Sequence, residues 1–236
     1  MTDRDRWIRL LRDSGGDLES QPQRIADLCV RMLGVTGAGI SLVSDTGHRG
    51  VICATDDVSQ RIEDLQITLG EGPCIDTIHT GTPVLVADLH DRDDIATWRW
   101  PTFMTAAADA GVRAVFAFPL RIGAIGLGAL DMYRNRQGAL DDDELSAALL
   151  GAEAAAIALL GLETSPDGAL TDGADTGVSY QAQVHQATGM IMVQLSVTIE
   201  QAFLLLRARA FSTGRPLHDV AVDVVERRLR FSSEDP

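Results

Sequence analysis

The stretch 163–178 constrains this chain more than any other feature of its sequence. Pro166, Gly168, Gly173 and Gly177 interrupt a run of Asp, Thr and Ser. Such a composition neither propagates a helix nor gives a strand a face to bury, so it reads as a flexible linker. Before it, short β-rich runs alternate with helical ones. After it, the apolar spacing is helical throughout. The expected organisation is an N-terminal extension over 1–19, a sensor-sized domain over 20–162, the linker, and a small helical domain over 179–236.

The first domain reads as α+β. Pro22–Leu33 places Ile25, Leu28, Cys29 and Met32 at i, i+3, i+4 and i+7, one face of a helix that Gly34 ends. Ala38–Val43 and Gly50–Ala54 flank the turn sequence Ser44–Gly47 and predict a hairpin. A helical or irregular excursion covers Gln60–Gly81, a third strand Pro83–Ala87, a loop Asp91–Asp94 and a helix Trp98–Ala110. Val112–Leu120 and Ile125–Tyr133 predict a second strand pair. Asp141–Glu144 opens a long Ala- and Leu-rich helix to about 162, its acids favoured by the helix dipole. The order predicts an antiparallel sheet flanked by helices.

The second domain reads as three helices. Ser179–Gln194 is the first. Ser196 or Thr198 caps the second, with Thr198–Gln201 as a capping box, and its inner stripe is Ile199, Ala202, Phe203, Leu206 and Ala210. Gly214 ends it, and Pro216 starts a third with Leu217, Val220, Ala221 and Val224 inward, running to about Phe231.

Composition excludes several functions. All 20 basic residues are arginine, which removes the phosphate-loop, Schiff-base and kinase lysines. Neither a nucleophile-elbow serine nor a zinc-protease helix motif is present, so no catalytic residue is assigned and a non-enzymatic regulator is expected. Cys29, Cys53 and Cys74 form no CxxC pair, and the five histidines are not spaced as ligands, so spacing supports no metal site. The polar start, and the absence of a long uncharged apolar run, predict a cytoplasmic protein without membrane association. Residues 1–178 hold 14 Arg against 28 acids, whereas 179–236 are balanced. The acidic front repels nucleic acid, and only the back half is suited to bind it.

Two resemblances carry the functional expectation. Val184-His-Gln-Ala-Thr-Gly-Met-Ile-Met192, Ala202–Arg207, Ala210 and Arg215–Ala221 resemble the ANTAR domain, in its actinobacterial variety, over about 50 residues. Gly70-Glu-Gly-Pro-Cys74, Thr80-Gly-Thr-Pro83, Asp88, the strand Gly126–Met132 and the acidic helix start resemble the GAF domain over about 20–162. The pairing implies a signal-responsive transcription antitermination regulator. Its sensor would bind an unidentified small molecule, with the cofactor left unknown, and its output domain would bind paired RNA stem–loops as a homodimer.

The resemblance points to Gln186, Thr188, Gly189, Arg207 and Arg215 for RNA. Arg207 is expected at the solvent edge of the second helix's stripe. Arg215 is expected beside the free N–H groups that open the third helix. Gly189 would permit close backbone approach, and Gln186 would reach a base edge. Thr188 stands where the family has a basic residue, a departure that puts one phosphate contact in doubt. Glu71, Pro73 and Cys74 are the ligand-pocket candidates; Gly70–Cys74 also reads as a turn that needs glycine geometry. The lysine-containing cyclic-nucleotide pattern of GAF domains is absent. Two rival readings remain: a protein-interaction module, and a redox sensor acting through Cys74.

Overall fold

The computed structural model describes residues 7, 21–43, 49–91, 98–163 and 177–232. The expected turn Ser44–Gly47, the end of the Asp91–Asp94 loop, most of the N-terminal extension and most of the linker lie outside them.

The first domain is a five-stranded antiparallel sheet in the order β2-β1-β5-β4-β3. Its strands are β1 (Gly37–Val43), β2 (Arg49–Ala54), β3 (Val84–Val86), β4 (Ala114–Ile122) and β5 (Ile125–Arg134). Strand alternation gives the sheet two different faces. Phe116, Phe118, Leu120, Leu130, Met132, Ala38 and Ile40 point to one side. There they meet α1 (Gln21–Leu33) and α5 (Asp142–Glu163). The excursion after β2 resolves into two helices, α2 (Asp57–Leu69) and α3 (Pro73–Thr80). These and α4 (Pro101–Asp109) cover the opposite face, where Ile62, Val86, Phe103, Val115 and Tyr133 make a second core.

By length and composition α5 qualifies to cross a bilayer. In the fold it lies on the sheet instead, with Ala148, Ala152, Ala155 and Leu159 buried. Its start is fixed by a buried cation. Arg134, 2% exposed, donates from Nη2 to Leu33 O at 2.9 Å and to Glu144 Oε1 at 2.5 Å, and from Nη1 to Ala139 O at 3.0 Å. One guanidinium thus ties the end of α1, the end of β5 and the first turn of α5.

The second domain is a three-helix bundle of α6 (Gly177–Leu195), α7 (Ile199–Thr213) and α8 (Leu217–Val225). Both halves of the Thr198–Gln201 capping box are formed, and Gly214 ends α7 in the left-handed conformation. The third helix is shorter than its apolar pattern suggests. It ends at Val225, where Arg227 takes φ 60° and Arg228 and Leu229 return their N–H groups to Asp223 O. The chain then turns back, so that Phe231 fills the bundle core and its N–H donates to Gln194 Oε1. Arg228, just past the helix, pairs with Asp223.

Removing the Arg134 cation strands a carboxylate and two carbonyls. Arg134→Ala should lower stability by about 3–5 kcal/mol, read as a shifted urea midpoint.

Candidate functional site

Two places in the fold hold Pro73, Cys74 and Arg207 from among the residues singled out by the sequence. One is a small cavity between the sheet and α2–α3. The other is the contact between the sheet domain and the helical bundle.

The cavity is lined by Gly39, Ser59, Ile62, Glu63, Gln66, Pro73, Phe103 and Asp131 among others, and measures about 10 Å³, the space of one water. Strand alternation decides its floor. Leu130 and Met132 face the α1–α5 side, so Asp131 faces the cavity, paired in register with Gly39. Helical spacing decides its roof: Ser59, Ile62, Glu63, Gln66 and Ile67 form the buried stripe of α2. Gly39 makes the necessary room, because a Cβ there would come within 3.0 Å of Glu63 Cγ and Oε1.

Of the three pocket candidates, Pro73 lines the cavity and Cys74 is buried beside it at 1% exposure. The Cys74 N–H donates to Gln66 Oε1 at 2.7 Å, and its Sγ lies 3.2 Å from Ser41 Oγ. Glu71 has a different task. Its Oε1 accepts the N–H groups of Thr102 and Phe103, both at 2.8 Å, and so caps α4. The Gly70–Cys74 motif is therefore largely architectural. Trp100 is buried and donates from Nε1 to Asp76 Oδ2 at 3.0 Å, while the nearby Trp98 stands 80% exposed.

Glu63 and Asp131 went unnoticed in the sequence. Each carries a local signal: Asp131 is the lone acid in an apolar strand, and Glu63 occupies a position of α2 that apolar periodicity would fill. With Cys74 they form the one group of three potential metal-ligand side chains found among the described residues, their donor atoms within 4.8 Å of one another. Burial pushes the Glu63 carboxyl well above the usual range, and the neighbouring Asp131 charge adds to this. Burial also raises Asp131 to about 7, partly offset by hydrogen bonds from Cys74 and Glu63. The Cys74 thiol is raised by burial, then by the two acids. A thiol so disfavoured as thiolate is a poor nucleophile, which weakens the redox reading.

The bundle docks on the same helix. Val51 of β2 and Ile67 of α2 join Val184, Ala187, Ile191 and Leu206 in one core. Arg207 does not sit free at a solvent edge. It is half-buried, its Nε donates to Thr68 O at 2.9 Å, and its guanidinium covers Gly70. Gly70 has φ 68° as the C-cap of α2, and a Cβ there would overlap the Arg207 guanidinium.

The other RNA candidates are scattered. Gln186 is exposed. Thr188 is fully buried, its hydroxyl donating to Val184 O at 2.7 Å, so it faces the bundle core and not a ligand. Gly189 has open space in front of it and no close chain neighbour. Arg215 lies before α8 and pairs with Asp223 at 2.7 Å. That carboxylate is held below its usual range by hydrogen bonds from Arg215 and Arg228.

The GAF domain family model matches residues 17–160, and the ANTAR domain model matches 175–225. Among curated proteins none matches. Two solved structures resemble the first domain. One is a domain assigned to a two-component sensor histidine kinase protein of Sinorhizobium meliloti 1021, with TM-score 0.50, 18% identity, and coverage of 64% of this chain and 95% of that one. The other is the GAF domain of an Acinetobacter phosphoenolpyruvate-protein phosphotransferase, with TM-score 0.51, 9% identity, and coverage of 68% and 92%.

The raised carboxyl gives a pH signature. Asp131 keeps its proton in the fold up to about 7. The unfolded chain releases it in the ordinary carboxyl range, near 4. Its contribution to stability is full below that range and is lost as pH rises through 7. In chelator-treated buffer, Asp131→Asn should flatten the fall in denaturation midpoint between about pH 5 and about pH 8.

Proposed function

The chain belongs to the GAF-domain family and carries an ANTAR domain behind its sensor, and from this we propose a signal-responsive transcription antitermination regulator, without catalytic activity of its own, whose sensor holds the RNA-binding bundle in check. The sensor and output architecture is that of an ANTAR-type regulator. RNA stem–loops as target, a homodimer as the working form and the cytoplasm as location are the finer parts of this reading.

The observation that carries it is the placement of Arg207. This residue matches the ANTAR pattern, and its Nε donates to the sensor backbone at Thr68 O. An arginine engaged there is not available to a phosphate or a base. The helix that engages it also lines the sensor cavity through Ser59, Ile62, Glu63 and Gln66. A ligand that favours a shifted α2 would therefore favour the undocked bundle, by as much as its affinity differs between the two states. Coupling through α2 needs no stiffness in the linker. The exposed Leu149, Ile157 and Leu160 on one stripe of α5 support a second copy as partner.

A protein partner for the bundle is the second reading. Val193, Leu204 and Phe211 stand 73%, 59% and 59% exposed, and the buried Thr188 replaces a basic residue. The two readings separate on the full chain in a salt-titrated assay with an RNA of two adjacent stem–loops. Gly70→Ala should push Arg207 off its seat and raise RNA affinity about tenfold, the worth of one hydrogen bond to a charged group. Arg207→Glu should abolish binding. RNA binding by neither the wild type nor Gly70→Ala, in folded protein, favours the protein partner.

A further inference from the structure

We propose that Glu63, Cys74 and Asp131 form a binding site for one divalent transition-metal ion of the zinc class, with the Cys74 sulfur as its soft ligand and the two carboxyl groups as its hard ones. This rests on the sensor reading and names the chemistry of its ligand.

Three observations converge. First, the donors of Glu63, Cys74 and Asp131 lie within 4.8 Å of one another although they come from α2, α3 and β5. Ligand atoms around tetrahedral zinc, at about 2.3 Å for sulfur and 2.0–2.2 Å for oxygen, are about 3.5 Å apart. A closure of about an ångström would bring the three into that geometry. Second, the site has unused valence. Cys74 and Glu63 reach Asp131, yet Glu63 Oε2 and Asp131 Oδ2 themselves stay buried without a hydrogen-bond partner, on residues 1% and 8% exposed. Buried carboxyl oxygens are costly unless something meets them. Third, the surroundings are built to hold this group. Gly39 makes room for Glu63, Gln66 ties down the Cys74 N–H, and the Ser41 hydroxyl lies 3.2 Å from the sulfur as a further oxygen.

The donor set decides the class of ion. A thiolate with two carboxylates suits a borderline-soft cation such as Zn²⁺ or Fe²⁺ better than Mg²⁺ or Ca²⁺, which take oxygen alone. Binding displaces the thiol proton, and the ion's charge overrides the burial that otherwise keeps the sulfur protonated. One carboxyl releases its proton to solvent with the thiol's while the other keeps its own and ligates through its carbonyl oxygen, so two protons leave for one divalent ion and the loaded site is neutral. Drawing Glu63 toward β5 also moves α2, whose C-terminal end seats Arg207.

The test is a titration of the metal-free full-length chain with Co²⁺, followed by competition with Zn²⁺. One Co²⁺ per chain should bind with a thiolate-to-cobalt charge-transfer band, and Zn²⁺ should displace it. Cys74→Ser should remove the band, and Glu63→Gln should weaken binding at least tenfold, whereas Cys29→Ala should leave both unchanged. Near-ultraviolet circular dichroism confirms that each variant is folded. No Co²⁺ uptake by the folded wild type overturns the proposal, as does a charge-transfer band that survives Cys74→Ser. The titration contains no RNA, so its failure leaves the regulator reading standing, and a failed RNA assay leaves the metal site standing.

Discussion

Two carboxyl groups and a thiol share one buried volume against the sheet, and much of the first domain is arranged around keeping them there. Glu63, Cys74 and Asp131 are fully or nearly buried. Their proximity in a low-dielectric interior makes simultaneous ionisation unfavourable, so the group must hold protons or meet a cation. The neighbours fit this demand. Gly39 has no side chain to occupy Glu63's place, Gln66 fixes the start of α3, and Glu71 reaches across to cap α4. Each of these polar contacts orients a helix, so the cavity and the placement of α2, α3 and α4 are one arrangement.

Helix α2 extends that arrangement to the output domain. One stripe of it faces the cavity, and its last turn supplies Ile67 to the bundle core and Thr68 O to Arg207. Bundle core and sensor are therefore continuous at β2 and α2. The contact reaches β2, the edge strand of the sheet, through Val51. A small three-helix bundle has a thin core, and Val51 and Ile67 enlarge it. Docking and stability of the bundle are in this way the same interaction, and whatever displaces α2 acts on both.

The helices and strands were largely readable because their determinants are local. The stripe Ile25, Leu28, Cys29 is buried as its spacing implies, and the Thr198–Gln201 box and Gly214 delimit α7. The shortfall at α8 has a local cause as well: Arg227 adopts a positive φ that arginine does not advertise, and Phe231 gains more by folding back into the bundle than by extending a helix. Among the candidate residues, Pro73 and Cys74 were found at the cavity. Glu71 and Thr188 have contacts that their positions along the chain do not disclose. Here one caps a helix and the other bonds its own helix backbone.

Sequence by itself determined the division into a sheet domain and a helical bundle, the helical and strand periods, the absence of lysine chemistry and the families the two halves belong to. Those properties depend on residues a few positions apart. Tertiary structure alone decided that Glu63, Cys74 and Asp131 meet, and that Arg207 lies on Thr68 and Gly70. The first depends on the register that sets Asp131 opposite Gly39, and on two helices packing above them. The second depends on a bundle docking across 139 residues of chain. Such convergence is set by packing between distant segments, which leaves no periodic trace along the chain.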